Sequence, residues 1–273
     1  MNFPILSREQ RLELLGAGIL LLVVIGLVGW YMATHQAPEP YLPQAETPGT
    51  PVVERPEPQT VTEHAQFYDI EAAYPAETLL LASAGAKADA TAIAAMKAFI
   101  DKTVSDFKRE GNFANLTKED LQIMGYEDGR KQALAIEYDE TKGAHTVSYA
   151  YTIYVDTFGA HPNAFFRTFT FDTESGAELS IQNLFLPKTP YLARLSEISR
   201  TELTKTLGLD IDIKYMNEGT APETKNFQSF TINGDALVLI FPPYQVGPYA
   251  LGTQTVTIPL VQLKDILKAA YLP

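Results

Sequence analysis

The sequence of 273 residues contains no cysteine and only four histidines. Without cysteine there is no disulfide, no thiolate chemistry and no zinc–sulfur site. The compartment stays open on this criterion, because a cysteine-free chain suits either side of a membrane. Basic residues are also scarce: 21 Lys and Arg face 33 Asp and Glu, which leaves a net charge of −12. A phosphate backbone or an anionic membrane surface is held by clustered Lys and Arg, so the acidic balance argues against both as partners. Cationic partners are favoured instead. The catalytic motifs G-x-S-x-G, the Walker loop, G-x-G-x-x-G and H-E-x-x-H are all missing.

The near-matches have plainer explanations. Ser105-Asp106-Phe107-Lys108 fits S-x-x-K, but it falls near the end of a helical pattern and lacks its partner motifs. Asp172-Thr-Glu-Ser-Gly176 has the wrong ligand spacing for a calcium loop and reads as a hairpin turn. The histidines counted to the folded part are His145 and His161, which bracket a strand over 146–157. At about 3.3 Å per residue its ends lie more than roughly 30 Å apart, too far for one metal ion. No metal, cofactor or catalytic residue is nominated.

What is abundant is apolar residue at the N-terminus. From Leu14 to Ala33 the chain runs twenty residues without a charge. As a helix this spans roughly 30 Å, the hydrocarbon thickness of a bilayer. Trp30 and Tyr31 mark its far end, Arg8 and Arg11 precede it, and the next basic residue is Arg55. The positive-inside rule then puts a short tail, 1–13, in the cytoplasm and residues 34–273 outside the cell membrane. A cleaved signal peptide fits less well, because the apolar run is long and the candidate site at Ala37 is followed by Pro38. Residues 37–60 hold seven prolines in 24 positions. Such a stretch is extended and coreless, a stalk over 34–61 reaching up to roughly 75 Å.

The folded part is expected over 62–273, with a division into two subdomains near residue 140. Ile93, Met96, Ile100, Val104 and Phe107 repeat at helical steps, predicting a helix from Asp89, as cap, to Glu110. A second helix is predicted from Pro190 to Leu207, with Thr189 as N-cap and Gly208 just past the end. A short third is predicted around Val261–Ala270. Strands are predicted over 146–157, Phe165–Asp172, Phe230–Ile232, Ala236–Phe241 and Thr253–Ile258, with Asn233-Gly234 as a hairpin signal. Helices segregated from antiparallel strands make an α+β domain, with helices packed on antiparallel sheets.

Two loops stand out by composition: 158–163, and 242–252 with its Pro-Pro-Tyr-Gln-Val-Gly-Pro-Tyr run. Glycine and proline shape turns, and His161 and Tyr244 can anchor them. The same loops can equally form a recognition edge of exposed aromatics. His161, Asn163, Tyr244 and Tyr249 are the candidate binding residues.

These loops also carry a resemblance. Gly159-Ala160-His161-Pro162-Asn163, Phe169-x-Phe171-Asp172, Gly176, Leu184-Phe185, then Phe241-x-x-Tyr244 and Gly252-x-x-x-Val256-x-Ile258-Pro259 resemble a bacterial extracytoplasmic domain family. It is found at the C-terminus of the anti-sigma factor RsiV and in the peptidoglycan deacetylase PdaC. Upstream, Tyr74-Pro75 and the helix after it resemble the companion PdaC-type segment, so the resemblance covers roughly 62–272. Phe158 departs from it, standing where the family often has glycine. The resemblance implies an α+β fold facing the envelope. In RsiV the domain is a lysozyme receptor, whose anti-sigma role does not carry over to a tail of about thirteen residues. In PdaC the chemistry belongs to a separate domain, so no catalytic residue transfers. The favoured reading is a membrane-anchored binding module for cell-wall glycan or a cationic wall-active protein such as lysozyme. An envelope hydrolase or deacetylase-associated enzyme using the His161 loop, or a structural subunit of an envelope complex, are the alternatives.

Overall fold

The computed structural model describes residues 56–159, 161–208 and 212–272. The expected membrane segment at 14–33 and the proline-rich stretch up to residue 55 lie outside them. Among the described residues no helix is long and apolar enough to cross a membrane.

The described residues open with β1 (Gln59–His64) and β2 (Tyr68–Tyr74), an antiparallel pair. Strand β1 thus starts inside the range assigned to the stalk. It also carries His64, a histidine not counted to the folded part, whose Nδ1 lies 3.0 Å from Asp69. Three helices follow: α1 (Leu80–Ser83), α2 (Ala86–Gly111) and α3 (Lys118–Ile123). Then come β3 (Gln132–Lys142), β4 (Thr146–Asp156) and β5 (Asn163–Asp172). Strands β1 to β5 form one sheet in chain order. Only the β2–β3 pair is parallel, because a long helical crossover returns the chain to the end it left. The remaining elements are α4 (Tyr191–Leu207), α5 (Ile213–Gly219), β6 (Phe230–Asn233), β7 (Ala236–Phe241) and β8 (Gln254–Pro259). The last three form an antiparallel sheet. The architecture is α+β, with that one parallel pair as the exception to antiparallel sheets.

Helix α2 turns Ala92, Met96, Ile100 and Phe107 inward, onto Ile70, Leu134, Ile136, Tyr149 and Tyr151 of the sheet. Ile93 and Val104 are half-buried at the edges of that stripe. Asp89 does not cap the helix. It lies in the first turn, where its carboxylate accepts from the buried Thr78 N–H at 2.7 Å, and Gly85 is the N-cap. Nor does Thr189 cap α4; Pro190 takes that place, and the Thr189 hydroxyl donates to Leu186 O.

A second core joins Leu184, Leu195, Leu203, Phe227, Leu237, Phe241, Ile258 and Leu263. The cores change over after β5. Residue 140 itself lies within β3. The helix expected at Val261–Ala270 is instead two short 3₁₀ turns, Leu260–Leu263 and Ala269–Tyr271. Between them the backbone is captured by the 184–186 segment: Leu186 N–H donates to Ile266 O, and Lys268 N–H to Leu184 O. Those groups are no longer free for a helix.

The polar face of β4 and β5 holds the second sheet in place. Edge strand β6 has outward backbone groups that need partners. Ile232 N–H donates to Ser148 Oγ at 3.0 Å and Phe230 N–H to Thr168 Oγ1 at 3.1 Å. Thr141 Oγ1 donates to Ile232 O, and Thr170 Oγ1 to Ser148 Oγ. A row of hydroxyls thus takes the place of a neighbouring strand.

Candidate functional site

The β4–β5 connection turns at Asp156, whose carboxylate accepts from Phe158 N–H at 2.9 Å. Phe158 sits at φ 64°, a left-handed position that suits glycine. Its ring is held there between the Tyr126 ring, edge-on at 5.3 Å, and the Arg130 guanidinium at 4.1 Å. The other loop opens with a type II turn. Gln245 N–H donates to Pro242 O at 3.0 Å, Pro243 is the first central residue, and Tyr244 is the second, at φ 70°. Glycine or asparagine is usual at that position. Gln245 then fixes the loop by donating to Gly219 O and Asn226 O, both at 2.9 Å. A side chain at Gly219 would strike the Gln245 carbonyl, so only glycine permits this approach.

The two loops meet ring on ring. His161 stacks on Tyr249 with centroids 3.6 Å apart and planes 14° apart. Its Nδ1 lies 2.9 Å from Pro162 O, which can only accept, so Nδ1 carries a proton. Tyr249 OH donates to the same carbonyl at 2.8 Å. His161 Nε2 lies 3.1 Å from Tyr244 OH, and in the neutral ring it accepts from that hydroxyl. Tyr244 remains 51% exposed. Three of the four sequence candidates are therefore one cluster. The fourth, Asn163, begins β5 and lies on the α2 side of the sheet, opposite Val155. The Pro162 carbonyl, which joins His161 to Tyr249, was not among the candidates; a main-chain acceptor leaves no mark in the sequence.

Neither near-match motif is part of this cluster. Ser105 is exposed on α2, and Lys108 pairs with Glu63, which also accepts from Tyr68. These partners hold the Glu63 carboxyl below the usual range. Asp172 turns the hairpin after β5, accepting from Glu174 N–H and from Ser175 N–H and Oγ. Among the described residues no cluster of His, Asp and Glu could hold a metal ion.

On the α2 side of the sheet, along the C-terminal half of α2, lies an open groove of about 850 Å³. Leu134, Ile153, Val155, Asn163 and Phe165 are among its floor residues, and Phe99 and Phe107 lie on the helix wall. Sequence reasoning missed this groove, because it comes from the angle between a helix and a sheet rather than from a motif.

Residues 182–260, from the start of the second core through β8, match a family described as "Protein of unknown function (DUF3298)". The peptidoglycan-N-acetylmuramic acid deacetylase PdaC of Bacillus subtilis is 34% identical over 186 residues, covering 65% of this chain and 36% of PdaC. Esterase Rv3036c of Mycobacterium tuberculosis is 25% identical over 114 residues, covering 42% of this chain and 49% of the esterase. The chain thus spans about a third of one relative and about half of the other. A crystal structure of a DUF3298 member from Bacteroides fragilis, BF2082, aligns with a TM-score of 0.52 at 17% identity. It covers 78% of this chain and 93% of that one, a likeness of fold alone. By these comparisons the chain is similar to PdaC and carries, over 182–260, a match to DUF3298.

Proposed function

We propose that the chain is a membrane-anchored, extracytoplasmic recognition module for cell-wall glycan. The observation that carries this reading is the His161–Tyr249–Tyr244 cluster. It offers exposed aromatic surface on two scaffolded loops, and both imidazole nitrogens are engaged within the cluster or by Pro162. Aromatic faces suit the C–H faces of sugars, and loops on a rigid sheet hold them ready. The similarity to PdaC, a protein named for peptidoglycan, supports the wall as its setting. A relation to the RsiV C-terminal domain belongs to the same proposal.

The test is retention of the full chain, purified with detergent, on insoluble peptidoglycan. Tyr244→Ala and His161→Ala should lower retention at least tenfold while the protein stays folded, and added salt should change little. Undiminished retention in both variants would sink the reading. A cationic protein partner is the second reading, motivated by the charge of −12. It expects lysozyme binding that weakens steeply with salt. The esterase name of one relative motivates an enzyme reading. Turnover of wall fragments that vanishes in folded His161→Ala would establish it over recognition. The anchor and orientation are tested in intact cells: external protease should cut within 37–60 and release the folded part. Digestion only from the cytoplasmic side would reverse the orientation.

A further inference from the structure

The groove beside α2 contains a buried polar group without a partner. Gln132, the first residue of β3, is 3% exposed and lines the groove. Its Nε2 donates to Tyr126 OH at 2.7 Å, whereas Oε1 has no hydrogen-bond partner among the described residues. A hydroxyl can donate or accept, so reversing the amide would leave the other terminal atom alone in the same way. A buried amide atom left unpaired is costly, and folded proteins pair nearly all of them.

The surroundings specify what would satisfy it. Near Gln132 the floor is apolar, from Leu134, Ile153 and Val155. Phe165 follows on the same sheet face, opposite Ile153, and is 54% exposed. Asn163 adds a neutral polar side chain toward the His161 loop. The charged groups of the lining are already engaged: Asp106 with Lys102 and Arg109, Glu110 with Arg109, Asp120 with Thr117, and Arg167 with Glu178. The groove therefore makes no demand for a charged ligand. It calls for a flat ring with one apolar face, neutral hydroxyls, and an amide that ends in a small apolar group.

We propose that this groove binds an N-acetylated hexosamine unit of a glycan. Oε1 is closed off as the groove stands, so the acetamido N–H would donate to it after a small turn of the Gln132 side chain, the acetamido methyl would rest on Leu134 and Val155, and the pyranose would stack on Phe165. The volume, about 850 Å³, suits one or two sugar units. Asn163, which lines the groove, lies two residues from His161, so the groove and the aromatic cluster are neighbours along the chain. The inference rests on the glycan reading and names the sugar and its contacts.

The test titrates the full chain with N-acetylglucosamine oligomers and with glucosamine oligomers of equal length. Salt is kept high to screen attraction between the cationic sugars and the acidic protein. The acetylated oligomer should bind at least tenfold more tightly, and Gln132→Met and Phe165→Ala should each weaken it at least tenfold. Phe165 is exposed, so its variant keeps the test valid if Gln132→Met fails to fold. Equal affinity for both oligomers would overturn the proposal. So would binding that survives in Phe165→Ala and is lost in Tyr244→Ala, an outcome that leaves the wider glycan reading intact. Retention on peptidoglycan with no affinity for the oligomers would likewise reject the groove alone. Loss of peptidoglycan retention would reject the wider reading as well.

Discussion

Tyr244 stands where its backbone conformation disfavours it. A non-glycine residue in the left-handed region carries about 1–2 kcal/mol of strain from its Cβ. The strain is tolerated because the position aims an aromatic ring at His161 from a turn that Pro243 and Gln245 define. Two truncations separate ring from backbone. Tyr244→Ala and Tyr244→Gly both remove the aromatic, but only glycine relieves the strain, so it should be the more stable by about 1 kcal/mol. Urea denaturation of both variants measures this, and equal midpoints would show an unstrained turn. The loop was legible as a loop from its prolines and glycines. The left-handed residue within it was not, because a type II turn after Pro-Pro ordinarily advertises itself with glycine or asparagine. Phe158 hides another such position in the same way, behind contacts with Tyr126 and Arg130 that only the fold brings together.

Elements with their own periodicity were readable, and elements defined by a distant partner were not. Helices α2 and α4 and strands β4 to β8 each carry an apolar repeat or a turn signal. Strands β2 and β3 each have an antiparallel partner next to them in the chain, β1 and β4, but they meet each other in parallel across a helical crossover that no local signal marks. The C-terminal segment has helically spaced apolar residues, yet its backbone is engaged by 184–186. The Asn233-Gly234 signal did mark a hairpin, but the register pairs Asn233 with Ala236, so Gly234 and Asp235 form the loop. For α2, Phe107→Ala should cost about 3 kcal/mol, the low end for a buried Phe, because the vacated space opens into the groove. A loss below about 1 kcal/mol on chemical denaturation would mean that Phe107 does not anchor the helix. For β6, Ser148→Ala leaves Ile232 N–H without its acceptor and should cost about 1–3 kcal/mol. A neutral result would show that the hydroxyl row is incidental to docking. In the sequence that face of β4 is simply polar, since serine and threonine look alike whether they meet water or another strand's backbone.

At the scale of the whole molecule, the two cores are joined by bonds that respond to pH. Asp172 ends β5 beside Phe171 of the first core, and Tyr271 of the second core donates to its carboxylate at 3.4 Å. Burial alone would push the Asp172 carboxyl up. The Ser175 hydroxyl, the Ser175 and Glu174 N–H groups and Tyr271 together bring it below the usual aspartate range. Unfolding releases the carboxyl to its ordinary value, so the unfolded chain binds the proton more readily. The charge on Asp172 therefore adds stability that is fully present above the ordinary aspartate range and is lost as the pH falls through the lowered folded value. Total stability is a blunt readout, because the net charge of −12 also changes on acidification and relieves self-repulsion. Comparison with Asp172→Asn largely cancels that shared effect, since the amide keeps an acceptor oxygen and loses only the charge. At neutral pH the native chain should be the more stable of the two, and the gap should shrink steadily below the ordinary aspartate range. Denaturation midpoints of both proteins across that range give the measurement. A gap that stays constant with pH would show that the turn needs an oxygen at residue 172 but not its charge.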